Sequence, residues 1–159
     1  MVGSYFSNDT VVAVATSLAG DAGVGIIRLS GPDSLEITRL LCGDLSVKPP
    51  LYMQRVRVSS VDKKTVLDDG LAVWFEAGKS FTGELTVELQ LHGGRFLLQK
   101  VMQEILSTGL CRLALPGEFS FRAVRNGKMD LSQAEGLSQI ISAKSNFELE
   151  AARLKIGSD

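Results

Sequence analysis

The chain has 159 residues and a formal charge of −1, with 45% hydrophobic and 22% charged residues. This composition is typical of a one-domain globular protein and excludes a disordered chain or a strongly basic nucleic-acid module. No apolar run approaches the roughly 18 residues that a membrane span needs. Two distant cysteines, Cys42 and Cys111, and one histidine, His92, exclude a structural zinc site and predict a protein of the reducing cytoplasm.

Apolar runs and turn residues predict both strands and helices in the first 129 residues. Strands are predicted at 11–16, 26–30, 54–61, 65–67, 71–75, 85–91 and 110–115. Apolar residues three or four apart predict helices from Asp33 or Ser34 to near Gly43, over 95–107, and from 118 to near 126. Asp69 and Gly70 predict a turn between the strands 65–67 and 71–75. The pattern is that of an α+β domain.

From Asp130 the pattern changes to one long helical stripe of apolar residues that continues to Leu154. A continuous helix of this length is roughly 36 Å long at 1.5 Å per residue, which is long for a small domain. The sequence therefore predicts three segments: a leader at 1–8, a domain at 9–129, and, at 130–159, the first helix of a helical domain in a longer parent protein.

Three short glycine-containing strings resemble nucleotide-binding or hydrolase motifs, but each string lacks a residue that its motif requires. The string at 23–25 has Arg28 where a dinucleotide fingerprint needs its third glycine. The string at 78–80 ends like a phosphate-binding loop, but Val73 occupies the position of its first glycine. The string at 92–94 resembles the oxyanion loop of an esterase, but the sequence has no nucleophile elbow to supply the attacking serine. The chain is therefore predicted to bind neither NAD nor GTP, and its one histidine to be structural.

Polar residues on the predicted strands and turns leave the function open. Glu88 lies in the middle of the strand 85–91, where the pattern alone favours a solvated outer face. Arg28 lies on a strand after the glycine-rich loop, and Lys128 lies in a turn. Arg122, Arg125 and Lys128 form a basic stretch that could contact nucleic acid, but a solvated surface is the simpler interpretation.

Several strings, in this order and spacing, resemble one family. They are GVGIIRLSGP at 23–32, SFTGE at 80–84, VELQ at 87–90, HGG at 92–94, PGEFS at 116–120, NGK at 126–128 and QAE at 133–135. Together they resemble the N-terminal region of the tRNA modification GTPase MnmE (TrmE) family. The resemblance runs from about Asp9 to about Ala152, nearly the whole chain.

The resemblance implies a fold and a set of partners. The fold is a mixed β-sheet with packed helices, related to tetrahydrofolate-binding domains of the aminomethyltransferase type, followed by a helical domain. The implied ligand is 5-formyl-tetrahydrofolate or a related one-carbon folate, bound by a cytoplasmic homodimer. The parent protein, with a flavin- and NADH-dependent partner subunit, would modify the wobble uridine of tRNA at C5, in a carboxymethylaminomethyl-type reaction. Its GTP, potassium and magnesium sites would lie outside this chain, which would have no catalytic or metal-binding residue of its own.

The family's folate contacts match Arg28, Glu88 and Lys128 in this sequence. A carboxylate can accept the paired N–H donors of a pterin, and the two cations suit the oxygen atoms of the ligand. Which cation meets which oxygen is left open. Two alternatives remain: a dimerisation scaffold with a vestigial folate site, and a tRNA-contacting module that uses Arg122, Arg125 and Lys128.

Overall fold

A computed structural model describes residues 5–15, 24–130 and Ser132. The described strands are β1 (Val11–Val14), β2 (Gly25–Ser30), β3 (Gln54–Ser59), β4 (Val66–Phe75), β5 (Thr86–Leu91) and β6 (Arg112–Leu113). The described α-helices are α1 (Ser34–Cys42), α2 (Gly94–Ser107) and α3 (Glu118–Arg125). The α+β class that the sequence predicts is confirmed. Within these residues, no helix combines the length and the apolar character that crossing a membrane requires.

The strands form one mixed sheet in the order β3-β4-β5-β2-β1-β6. Neighbouring strands are antiparallel except β1 and β6, which are parallel. β2 and β5 lie at the centre, and their register places Arg28 directly opposite Glu88. Two of the three residues that the sequence selects are therefore cross-strand neighbours.

The two faces of the sheet differ in what covers them. Residues from α1, α2 and five strands form the core on one face: Val12, Ile27, Leu29, Ile37, Leu41, Val58, Ala72, Val87, Leu89, Val101 and Ile105. Successive side chains of a strand point to opposite faces, so Arg28, Glu88 and Val73 share the other face. We call this second face the Arg28 face.

The predicted turn at Asp69 and Gly70 is wrong, because β4 runs without interruption through both residues. Gly70 lies opposite Leu91 of β5. A Cβ atom on Gly70 would lie 2.3 Å from the carbonyl oxygen of Gln90, so this glycine permits the close approach of two strands. The strand predicted at 110–115 is also shorter than expected, because only Arg112–Leu113 pair with β1.

The predicted division into three segments stays a prediction. Of the helix predicted at 130–159, all but Asp130 and Ser132 lies outside the described residues. The described end of the predicted leader packs on the domain: the Tyr5 hydroxyl donates to the carbonyl of Pro116 at 2.8 Å. The rings of Tyr5 and Phe6 also contact Phe121 of α3, with centroid distances of 5.5 and 5.4 Å.

Candidate functional site

The candidate site is centred on an ion pair between the two central strands. Arg28 Nε donates to Glu88 Oε1 at 2.9 Å, and Arg28 Nη2 lies 2.8 Å from the same oxygen. The two side chains are 26% and 19% exposed. Glu88 is thus largely buried and paired, not solvated as the strand pattern alone favours. Both contacts end on Oε1, and in the described part of the chain no hydrogen bond reaches Oε2.

Two phenylalanine rings flank the Arg28 guanidinium. Its central carbon lies 5.8 Å from the ring centroid of Phe81 and 5.7 Å from that of Phe119. Both distances are within the range of cation–π attraction. Phe81 belongs to the segment between β4 and β5, and Phe119 lies in the first turn of α3. A carboxylate, a guanidinium and aromatic rings therefore meet at one place on the Arg28 face, a combination suited to a planar, polar heterocycle.

Lys128, the third predicted residue, lies beyond α3 and is exposed. Its Nζ donates to the carbonyl oxygen of Gly78, in the segment that also carries Phe81. Asn126 Nδ2 donates to the carbonyl of Thr82 at 2.8 Å, which fastens the same turn to the same segment. In the described part of the chain, Lys128 forms no hydrogen bond or ion pair with Arg28 or Glu88. The structure therefore joins two of the predicted residues directly and the third through the segment 76–85.

Arg122 is fully buried, so its assignment to a solvated basic surface is wrong. Its guanidinium donates to the carbonyl of Asp9 at 2.7 Å, to Glu84 Oε1 at 2.9 Å and to Glu118 Oε2 at 3.1 Å. Glu118 and Arg122 are four residues apart and share one face of α3. Acidic residues from distant parts of the chain contact this face of α3, and the face is therefore buried.

Glu118 is the acidic centre of this cluster and is also fully buried. Arg112 donates to its two carboxylate oxygens at 2.9 and 2.7 Å, and the backbone N–H of Leu115 donates at 2.8 Å. Burial raises the pKa of Glu118, but Arg112, the Leu115 N–H and the charge of Arg122 outweigh it and hold that pKa below its usual value. The balanced set of three carboxylates and three guanidinium groups, which we call the ion-pair network, is Asp9, Glu84, Glu118, Arg112, Arg122 and Arg125.

The ion-pair network holds the two aromatic rings of the site. Glu118 directly precedes Phe119, and Glu84 follows Phe81 by three residues. Because both acids bind Arg122, the segments that carry the rings are fastened to each other. Sequence reasoning missed this role, although the spacing of Glu118 and Arg122 is a signal of a helical ion pair.

His92 lies at the exit of β5, as predicted, and its backbone takes part in a contact that supports the start of α2. The Asp68 carboxylate accepts hydrogen bonds from the backbone N–H groups of His92 and Gly93, at 2.8 and 2.9 Å, next to the first residue of α2. A side chain of β4 therefore satisfies donors at the start of this helix. Among the described residues, no group of three or more His, Cys, Asp or Glu side chains is arranged to hold a metal ion.

Both cysteines are free thiols. Burial raises the pKa of Cys42 to about 12 and that of Cys111 to about 11. Neither thiol is therefore ionised at neutral pH, and neither has the character of a nucleophile.

Comparison with known proteins assigns the chain to a family. A family model described as GTP-binding protein TrmE N-terminus matches residues 10–128. The chain is similar to proteins named tRNA modification GTPase MnmE from Xylella fastidiosa, with 46% identity over 145 residues, and from Erwinia tasmaniensis, with 44% identity over 151 residues. These matches cover 91% and 95% of this chain but only 30% and 32% of the relatives.

A third relative of the same name, from Campylobacter concisus, is 44% identical over 140 residues, or 88% of this chain and 31% of its own length. The chain thus spans about a third of the length of these relatives. The resemblance inferred from the sequence motifs is confirmed. The chain belongs to the family described as GTP-binding protein TrmE N-terminus.

Proposed function

We propose that this chain binds a one-carbon tetrahydrofolate, of the 5-formyl type, through Arg28, Glu88 and Lys128, and that it forms a homodimer. The observation that carries the proposal is the Arg28–Glu88 pair, flanked by Phe81 and Phe119 on the Arg28 face. Family membership adds support, because the family's folate contacts match these three positions. The fold would then be related to the tetrahydrofolate-binding domains of the aminomethyltransferase type.

The pairing of Glu88 leaves it able to accept a ligand. A pterin presents an amino group and a ring N–H side by side, and a carboxylate can accept both. Both contacts of Arg28 use Oε1, so the two lone pairs of Oε2 can meet the two donors. Arg28 meanwhile fixes the direction of the carboxylate, and the rings of Phe81 and Phe119 supply apolar surface for the heterocycle.

Lys128 would meet an oxygen atom of the same ligand. Its ammonium group has three donors, and the structure uses one of them for the carbonyl of Gly78. The remaining donors can bind the one-carbon carbonyl or another ligand oxygen. Because Gly78 and Phe81 lie in the same segment, a ligand on the Phe81 ring would lie close to the turn that carries Lys128.

The relatives are named tRNA modification GTPases, and for the parent of this chain we propose the same activity. The parent would be a cytoplasmic enzyme that modifies the wobble uridine of tRNA at C5 with a flavin- and NADH-dependent partner subunit. GTP, potassium and magnesium would bind outside this chain. The tRNA-contacting alternative is weaker than the sequence suggested, because Arg122 is buried and only Arg125 and Lys128 of its three cations remain accessible.

Titration of the chain with 5-formyl-tetrahydrofolate, beside the same titration with tRNA, tests the proposal. We expect saturable folate binding, no comparable binding of tRNA, and a homodimer in sedimentation. A dimer that binds no folate would favour the scaffold alternative, and tRNA binding without folate binding would favour the RNA alternative. A strictly monomeric species would contradict the dimer.

A further inference from the structure

The Arg28 face continues from Glu88 to a second group of charges at the edge of the sheet. The register places Gln90 opposite Leu71 and Leu71 opposite Arg55, so one row of side chains crosses β5, β4 and β3. Glu88 lies two residues before Gln90 on β5 and points to the same side. The edge strand β3 therefore presents Arg55 on the same surface as the candidate folate site.

A cleft of about 680 Å³ opens at this edge. Its polar lining consists of Arg55 and Arg57 of β3, Asp69 of β4 and the neighbouring His92, and Leu71 forms part of its wall. Its volume is within the range of small-molecule pockets, which is roughly 300–1,000 Å³. The cleft is thus large enough for part of an organic ligand as well as for an inorganic ion.

The charges of the cleft favour an anion. Arg55 is exposed and, in the described part of the chain, makes no hydrogen bond or ion pair. Arg57 Nε lies 3.3 Å from Asp69 Oδ1, and these side chains are 71% and 73% exposed. An ion pair this exposed is weak, so Arg57 can exchange Asp69 for the carboxylate of a ligand. Two guanidinium groups therefore face a single carboxylate, with a net formal charge of +1.

The distance from the candidate site suits the tail of a folate. From Glu88 to Arg55 the row crosses two strand spacings and shifts by two residues, a span of about 12 Å between Cα atoms. The pterin ring, its methylene bridge and the benzoyl ring of a folate span a comparable distance. Beyond the benzoyl ring, a folate carries one or more glutamates, each with a free carboxylate.

We propose that the cleft at Arg55 and Arg57 binds the glutamate carboxylates of the folate whose pterin is held at Glu88, so that the chain prefers polyglutamylated folates. The inference rests on the proposed function. A nucleic-acid backbone is the less suitable occupant, because the cleft has a net charge of only +1 and the formal charge of the whole chain is −1.

Calorimetric titration with 5-formyl-tetrahydrofolate as the monoglutamate and as the triglutamate tests this inference. We expect the triglutamate to bind the wild type about 3- to 10-fold more tightly, as exposed ion pairs allow. Arg55→Gln should weaken the binding of the triglutamate more than that of the monoglutamate, and so bring the ratio of the monoglutamate to the triglutamate dissociation constant closer to one. Asp69→Asn should increase the ratio of the monoglutamate to the triglutamate dissociation constant, because it removes the carboxylate that competes with the ligand for Arg57. Arg39→Gln is the matched control, since Arg39 is an exposed arginine of α1 paired with Glu36, and it should leave the ratio unchanged.

The outcomes separate this inference from the proposed function. Equal affinity of the wild type for the two folates would overturn the glutamate site and leave the proposed function standing. An unchanged ratio in Arg55→Gln would also overturn it, even if that variant weakened the binding of an RNA duplex titrated in parallel. Failure of both folates to bind would instead contradict the proposed function, and it would also contradict the inference, which rests on that function.

Discussion

Replacement of Arg122 by methionine should destabilise the chain strongly. The change leaves Asp9, Glu84 and Glu118 with one cation fewer at a site where Arg122 and Glu118 are fully buried. Removal of one partner from a buried ion pair costs about 3–5 kcal/mol. Arg112 still pairs with Asp9 and Glu118, so we expect a loss near the lower end, about 3 kcal/mol. A domain has only about 5–15 kcal/mol of stability in total.

Urea denaturation at neutral pH, followed by the fluorescence of the single tryptophan, Trp74, measures this loss. With a urea dependence of about 1–3 kcal/mol/M, the midpoint should fall by about 1–3 M. Arg39→Met is the matched control, because it removes the same charge from an exposed pair with Glu36, and its midpoint should stay near that of the wild type. If Arg122→Met does not fold, Glu118→Gln keeps the shape of the side chain and should cost about 1.5–3 kcal/mol. Equal midpoints for Arg122→Met and the control would refute the reasoning.

Three further predictions concern pH, packing and nucleotide chemistry. Folding lowers the pKa values of Glu118 and Asp9 from the ordinary values of 4.5 and 3.8, so their contribution to the free energy of unfolding is present above these values and is lost as the pH falls below them. Between about pH 5 and pH 3 the urea midpoint should therefore fall more in the wild type than in Glu118→Gln, and equal falls would contradict this assignment. Gly70→Ala should lower the thermal midpoint of unfolding, because the new Cβ would lie 2.3 Å from the carbonyl oxygen of Gln90. The expected loss of stability is about 1–3 kcal/mol. An unchanged midpoint would contradict the close packing of the two strands. The purified chain should neither bind nor hydrolyse GTP, because Val73 of β4 lies where a phosphate-binding loop needs glycine, and potassium-stimulated phosphate release would disprove this.

The regular elements were predictable because their signals are local. The alternation of Val87 and Leu89 with Glu88 indicates a strand with one buried face, and the structure has that strand. The turn at Asp69 and Gly70 was predicted wrongly for the same reason. A glycine that lets two strands approach closely has the same local signature as a glycine in a turn, and only the register with Gln90 distinguishes them.

The candidate site was only partly predictable because its contacts join distant segments. Family resemblance selected Arg28, Glu88 and Lys128, but the pairing of Arg28 with Glu88 depends on a register between residues 60 positions apart. The burial of Arg122 depends on Asp9, 113 positions away. A helix pattern records which residues share a face, but it does not record which distant side chains cover that face. For this reason a buried arginine looked like a solvated one.

Glu88, held by Arg28, is proposed to accept the donors of a pterin. Glu88→Ala removes a charged acceptor and leaves the ligand's donors unpaired, which should cost about 1.5–3 kcal/mol, or roughly 10- to 150-fold in affinity. Glu88→Gln should also bind poorly, because its amide nitrogen would face a donor. Glu36→Ala, which removes an exposed carboxylate of α1, is the matched control and should bind like the wild type.

The most direct measurement is calorimetric titration of these three variants and the wild type with 5-formyl-tetrahydrofolate. Urea denaturation and sedimentation must first show that each variant folds and assembles like the wild type. We expect tight binding by the wild type and Glu36→Ala and a loss of at least about tenfold in both Glu88 variants. Wild-type affinity in both Glu88 variants would show that Glu88 does not bind the pterin.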